Sequence, residues 1–430
     1  MAKVFLYDEF GPQDTAMMQA LYSRSPLSVE EHVEKVKKSG SGKFMEKFYV
    51  GYGHASIADC GSTTLFIEGV SMLVAKAVED WPLYSGQESS SRYINYAKQP
   101  IIDPLKTAKS KAVHKKWMDF YIGSQPMVEK HLRAQFPQKP GEDDGVYDRA
   151  IKARSFDILR GFLPSGVTTQ LSWHTNLRQA YDKLALLHYY PLPEVQKVAD
   201  MIHDKLKEKY PQSFSHILVS EQEKYRQLVA EKYTFFVKEM KSDFSAKTTI
   251  NLKELASYSS ITKKRAEKTG LPHFLSELGN VTFDFLLDFG SFRDIQRHRN
   301  GVCRMPLVTT KFGFNEWYLS QLPVDLHKKA EKLIKEQIKA IKELKTTKEL
   351  AQYYIAMGFN VTCRVSYGLP AALYVTELRS GRMVHPTLRK VAHKMYNWMA
   401  KKFPTVQIMA DLGKDDWDVR RGLQTIREKK

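Results

Sequence analysis

Four short segments hold residue types able to grip an anion. Arg297-His298-Arg299 sets two guanidiniums and an imidazole in a row. A guanidinium donates paired hydrogen bonds from a planar fork and stays charged, which suits phosphate. A basic triplet alone also reads as a surface patch. Here a strongly apolar run, Phe283 to Phe292, precedes it and Gly301-Val302-Cys303 follows, so it stands at the exit of a buried element and both readings stay open. Glu88-Ser89-Ser90-Ser91-Arg92-Tyr93 offers hydroxyls, backbone N–H groups and one guanidinium, the parts of an anion cradle, or else a serine-rich loop. Gly53-His54-Ala55-Ser56 and Leu378-Arg379 complete the set. A lone histidine is usually a satisfied core residue, but the setting of His54 favours a place in a site. None of these segments contains cysteine, so covalent thiol attack is not required of them.

The elements that must position these groups are mixed α and β. Val4 to Tyr7 reads as an opening strand and Thr63 to Ile67, rich in β-branched residues, as another. Ser28 followed by Glu31 forms a capping-box pattern and predicts a helix start. Val70 to Val78 reads as helix. Residues 137–145 form a Pro/Gly-rich loop, and apolar-periodic stretches follow at about 147–162, 173–190 and 194–209, with Pro191 and Pro193 between the last two. From His327 to Glu349, Leu333, Ile334, Ile338, Ile341 and Leu344 recur at helical spacing with charge elsewhere.

At 430 residues the chain is too long for one ordinary core, and two domains are expected. A hydrophobic content of 43% excludes a disordered chain. The three cysteines, Cys60, Cys303 and Cys363, are scattered; they argue against a disulfide framework and a structural zinc, and no metal site is expected. No apolar run suits a signal peptide or a membrane span, so a soluble, cytoplasmic protein is expected, with no membrane partner. The net charge of +18 suggests anionic partners. Solvated helix faces account for it better than a nucleic-acid surface, which is not favoured.

The chain also resembles itself. Leu163-Pro164-Ser165-Gly166-Val167-Thr168 matches Ile355-Ala356-Met357-Gly358-Phe359-Asn360 at an offset of 192 residues, and Pro211 matches Pro404 at 193. Trp81 matches His298 at 217, so the second copy lacks about 25 residues in its middle, near the 137–145 loop of the first. The boundary falls near 240–250, giving domains 1–243 and 244–430.

Gly-His-Ala-Ser-Ile-Ala-Asp from Gly53, Ile67-Glu68-Gly69-Val70-Ser71 and the Glu88–Tyr93 segment together resemble the flavin-dependent thymidylate synthases (ThyX). Leu163-Pro164 with Asn176-x-Arg178 resembles the family's later stretch, and the second half is similar through Val281-Thr282-Phe283, Gln296 to Arg299 and Leu378-Arg379. The resemblance implies an α/β (α+β) fold of two tandem ThyX-like domains, each a small mixed or antiparallel sheet packed with long helices, forming a pseudo-dimer. It implies FAD as cofactor, NADPH and methylenetetrahydrofolate as co-substrates, dUMP or a related nucleotide as substrate, and a homodimer of fused chains.

Each copy departs from the pattern in a different place. Where the first should read Arg-His-Arg it has Asp80-Trp81-Pro82, and at the late arginine it has Leu187 or His188. The second keeps those elements but has Leu307-Val308-Thr309-Thr310 for the Ser-x-Arg-Tyr ending, Gly368 and Pro370 at Asn-x-Arg, and Gln352 where the first has Arg160. The resemblance thus implies sites pooled from both halves. Arg297, His298, Arg299, Asn176, Arg178 and Ser56 would bind flavin. Glu88, Ser89, Ser90, Ser91, Arg92 and Arg160 would hold the nucleotide. Arg379 would polarise the pyrimidine, with His54 and Ser90 as further catalytic residues. Trp81 and Tyr93 read as packing residues, His385 as structural or rim, and Glu277 as either a surface or a family acid.

Overall fold

Among the described residues three strands run directly into helices through a capping side chain, β1 and β4 among them. Ser71 ends β1 (Ser62–Ser71) and accepts a hydrogen bond from the Val74 N–H, opening the helix Met72–Glu79. Asp288 ends β4 (Asn280–Asp288) and accepts from the Ser291 N–H at 2.7 Å, opening Phe289–Ile295. Such caps satisfy an orphan donor of the first turn. The helix expected from Val70 therefore starts two residues later. The computed structural model describes residues 9–25, 28–92, 94–233, 235–414 and 418–420; the strand expected at Val4 to Tyr7, and Tyr93, lie outside them.

Among the described residues the fold is mixed α and β with two small antiparallel sheets, one of β1 and β2 (Thr168–Asn176), the other of β3 (Phe244–Thr248), β4, β6 (Asn360–Gly368) and β5 (Gly301–Cys303) in that order. The chain divides into two compact units. The smaller takes Met1–Glu68, Leu83–Glu88 and Gln170–Thr234; the larger takes Gly69–Pro82, Ser89–Thr169 and Phe235–Lys430 and so draws on both sides of residue 243.

In the smaller unit, Pro12–Tyr22 and Val29–Ser39 bury Met17, Met18, Val33 and Val36 against one another, and the Ser28–Glu31 capping box is present. The apolar stretch at 173–190 divides at Asn176. Strand β2 ends there, and the Asn176 side chain accepts from the Gln179 N–H at 2.8 Å to start Leu177–Leu187. The 194–209 stretch is the helix Pro193–Lys209.

In the larger unit β3 (Phe244–Thr248), β5 (Gly301–Cys303) and β6 (Asn360–Gly368) join β4. Asp284 of β4 lies opposite Arg364 of β6 and takes both arms of its guanidinium, at 2.7 and 2.9 Å, with Lys238 at 2.8 Å. Burial alone would raise the Asp284 carboxyl; these cations outweigh it and hold it below the ordinary carboxylate range. The helices Leu369–Ser380 and Pro386–Lys402 cover β4 and β6, and the stretch from His327 lies in the helix Val324–Glu343 as far as Glu343, with Leu326, Ala330, Ile334 and Ile341 buried and Leu344 at its cap.

The matched segments meet in this unit by reciprocal bonding. The Ser165 N–H donates to the Ile355 carbonyl at 2.9 Å, and 192 residues on the Met357 N–H donates to the Leu163 carbonyl at 2.8 Å. Gly166 donates to Tyr353 at 2.9 Å while Gly358 donates to Gly161 at 2.7 Å. Residue i bonding j′ while i′ bonds j is the pattern of a two-fold contact. Both glycines are needed, since a Cβ on Gly166 would fall 2.8 Å from the Ile102 carbonyl oxygen and one on Gly358 2.4 Å from the Phe314 ring. The missing middle of the second half is mostly helix rather than loop. Ala108–Gln135 and Asp144–Leu159 correspond in the repeat to Val324–Glu343 and the single turn Lys348–Ala351.

Candidate functional site

The helix Phe289–Ile295 is the element around which the cationic residues gather. Arg293 reaches the serine segment of the first half: Nη1 donates to the Ser91 hydroxyl at 3.0 Å and Nη2 to the Ser89 carbonyl at 3.1 Å. Arg92 grips Asp157 with Nε at 2.6 Å and Nη2 at 3.1 Å, and Nη2 also donates to the Met383 carbonyl at 3.4 Å. Asp157 is wholly buried, so this is a bidentate, charge-assisted pair. Ser90 is half-buried and its hydroxyl accepts from the Arg92 N–H at 3.3 Å.

Asp294, one residue past Arg293, draws the site together. Burial alone would raise its carboxyl, but Arg160, Arg379, Arg92 and Arg297 outweigh that and hold it below the ordinary range. Two of these arginines come from the first half of the sequence and two from the second, all within the larger unit. The Asp294 carboxylate accepts no hydrogen bond among the described residues. Arg379 donates through Nη2 to the Asp294 carbonyl at 2.6 Å and through Nε to His298 Nε2 at 2.7 Å. Its Nη1 has no partner among the described residues. Burial and the charge of Arg379 push the His298 imidazole down to about 3, despite the pull of Asp294. Arg297 and Arg299 are exposed and His298 is half-buried.

Arg160 lies under the site rather than at its mouth. It is 2% exposed, and its Nη2 donates to the Ser291 hydroxyl at 2.8 Å and its Nε to the Tyr318 hydroxyl at 3.4 Å. Tyr318 donates in turn to Asp288 at 2.9 Å. Burial raises the Asp288 carboxyl, against the pull of Arg160. His385 belongs to the same floor, fully buried, with Nδ1 2.9 Å from the Thr387 hydroxyl and Nε2 3.4 Å from the Asp157 carbonyl. The expectation that Arg160 contacts nucleotide therefore meets a guanidinium already enclosed by protein groups.

The remaining expected residues lie in the smaller unit. Arg178 pairs with Asp59 at 2.7 Å through both Nε and Nη2, which ties the Asn-x-Arg element to the last residue of Gly-His-Ala-Ser-Ile-Ala-Asp. Asn176 is spent on its helix cap. His54 and Ser56 are exposed, the His54 ring near Phe48 with centroids 6.4 Å apart. Glu88 is buried and bridges Leu171. Sequence reading missed Arg293, Asp294 and Asp157. For Asp294 the signal was present: it stands three residues before Arg297 and four before His298, the spacing of one helix face.

Residues 6–212 match the family profile described as thymidylate synthase complementing protein. The match lies within the first half of this chain and stops short of the second. Relatives align across both halves. The UPF0159 protein of Thermoplasma acidophilum is 23% identical over 91% of this chain and 94% of its own length, and that of Chlamydia pneumoniae 24% identical over 88% and 83%. Among solved structures, the family's flavin-dependent thymidylate synthase from Helicobacter pylori, complexed with FAD and dUMP, is 16% identical and covers 48% of this chain and 95% of that one. Its TM-score of 0.29 is too low for the likeness to carry an argument.

Proposed function

We propose that this chain is a flavin-dependent thymidylate synthase-like enzyme, converting dUMP to dTMP at a site pooled from its two halves. The observation that carries the reading is the gathering of Arg92, Arg297 and Arg379 about Asp294. The match of residues 6–212 to the thymidylate synthase complementing protein profile supports it. The tandem-domain reading, 1–243 and 244–430, is supported by the reciprocal bonds at Ser165 and Met357.

The residues fit the ligands. Exposed Arg297 and Arg299 suit the pyrophosphate of FAD, and Ser90 with its neighbouring N–H groups suits a nucleotide phosphate. Bound flavin supplies the hydride chemistry, with NADPH and methylenetetrahydrofolate as co-substrates, while the protein binds, orients and stabilises charge. Arg293 fixes the serine segment in place. Arg379 presents Nη1 toward a carbonyl on which charge develops, and stays cationic as it does so. A homodimer of fused chains completes the proposed assembly.

Purified protein should be yellow, with oxidised-flavin absorbance perturbed by dUMP, and the gene should rescue a thymidine-requiring bacterium. Colour with no response to dUMP favours a flavin enzyme acting on another nucleotide or a nucleic-acid base. The enclosed pairing of Arg92 with Asp157 motivates a third reading, a nucleotide-binding scaffold without catalysis. A colourless protein that takes up no added FAD would sink the enzyme.

A further inference from the structure

We infer that Arg379 holds His298 in a single neutral form, with its proton on Nδ1, so that His298 offers the site a hydrogen-bond donor and not a base. Arg379 Nε–H lies 2.7 Å from His298 Nε2, and a guanidinium only donates. Nε2 must therefore keep a lone pair, and in a neutral ring the proton falls to Nδ1. The fork cannot swing away freely, because Nη2 of the same guanidinium donates to the Asp294 carbonyl at 2.6 Å.

The surrounding groups agree. Arg379, on the helix Leu369–Ser380, and Arg297, just beyond Phe289–Ile295, both oppose a second proton on the ring. Among the described residues Asp294 is the facing group that favours it. Tyr374, also on Leu369–Ser380, meets the ring edge-on with centroids 6.0 Å apart and brings no charge. Arg379 is thus a positioning residue for His298 through Nε, besides whatever it does to substrate through Nη1. The tautomer stands on this geometry alone; the idea that Nδ1–H meets bound flavin rests on the function proposed above.

The test uses the full chain with isotope-labelled histidine and long-range ¹H–¹⁵N spectra of the ring nitrogens, His298 being assigned by its loss in His298→Asn. The expected spectrum shows Nδ1 protonated and Nε2 bare, unchanged from about pH 8 to pH 5, where free histidine titrates near 6.5. Arg379→Met should move the midpoint up toward that value while burial and Arg297 still hold it lower. A proton on Nε2, or a midpoint between pH 5 and 8 in the unaltered protein, overturns the inference whatever Arg379→Met does. A second arm measures FAD affinity. His298→Asn keeps an N–H near the position of Nδ1 and should bind within about threefold of the unaltered protein, whereas His298→Gln places its N–H against Arg379 and should bind about tenfold or more weakly, roughly one lost hydrogen bond. Equal binding by both variants overturns the donor role. If the unaltered protein takes up no FAD, the proposed function fails, and the spectra still decide the tautomer.

Discussion

Asp294 shows how one carboxylate can organise a cluster of like charges. Arg92, Arg160, Arg297 and Arg379 repel one another, and their common counter-charge lets them share one region. Asp294→Asn should therefore lower stability by about 1–2 kcal/mol, a fraction of the 3–5 kcal/mol for breaking a fully buried pair. Added nucleotide or phosphate should return part of the loss, measurable by thermal unfolding with and without ligand. Arg92→Ala should abolish activity and Thr309→Ala, whose hydroxyl only accepts from the Lys311 N–H, should do little. Because Arg92→Ala also strands buried Asp157, Arg92→Lys serves as the control for folding. Acid should weaken the fold in a defined sense. Histidine in the unfolded chain takes up a proton near pH 6.5, and His298 resists until about 3, so the unfolded state binds more protons between these values and stability falls as pH falls through that window. Asp294 and Asp284 act in the same direction below the ordinary carboxylate range. Unfolding at pH 7, 6 and 5 checks this, with a shallower decline expected in His298→Asn.

Elements were legible where one local cause sufficed. The Ser28 capping box, the β1 strand and the long helix from Val324 follow from side chains a few residues apart. The 173–190 stretch defeated periodicity because Asn176 can end a strand and cap a helix at once, so two short patterns ran together as one. Arg160 misled because its sequence neighbours carry no trace of Ser291 and Tyr318, which lie over 130 positions away and enclose it. At this scale the contact between the matched segments makes a sharp prediction. Gly358→Ala would drive a methyl into Phe314 and the Gly161 carbonyl and should cost about 2 kcal/mol or more, whereas Gly270→Ala, with open space around it, should be near neutral by denaturant midpoint.

Across the whole molecule the two halves are not equivalent partners. At an offset of 217, Arg293 corresponds to Lys76, which pairs with Glu79 inside the protein, and Asp294 to Ala77; at 192, Arg160 corresponds to Gln352, which accepts from the Val308 N–H at 3.0 Å. The mirror position has thus lost its organising carboxylate, and a neutral amide stands where one of its cations would be. Titration with dUMP should saturate at one ligand per chain; two per chain would contradict this. The match between the halves was readable from spacing, since Gly166 and Gly358 stand 192 residues apart within stretches of similar pattern. The compact units were not, because contacts in space ignore the order in which β1 and β2 thread from one unit to the other.

The backbone exchange at Ser165 and Met357 has one further consequence. Where two separate, identical subunits meet, every mutation strikes both sides of the axis together. Here the two sides are different stretches of a single polypeptide, so drift can reshape one while its counterpart stays fixed, and dilution cannot pull them apart.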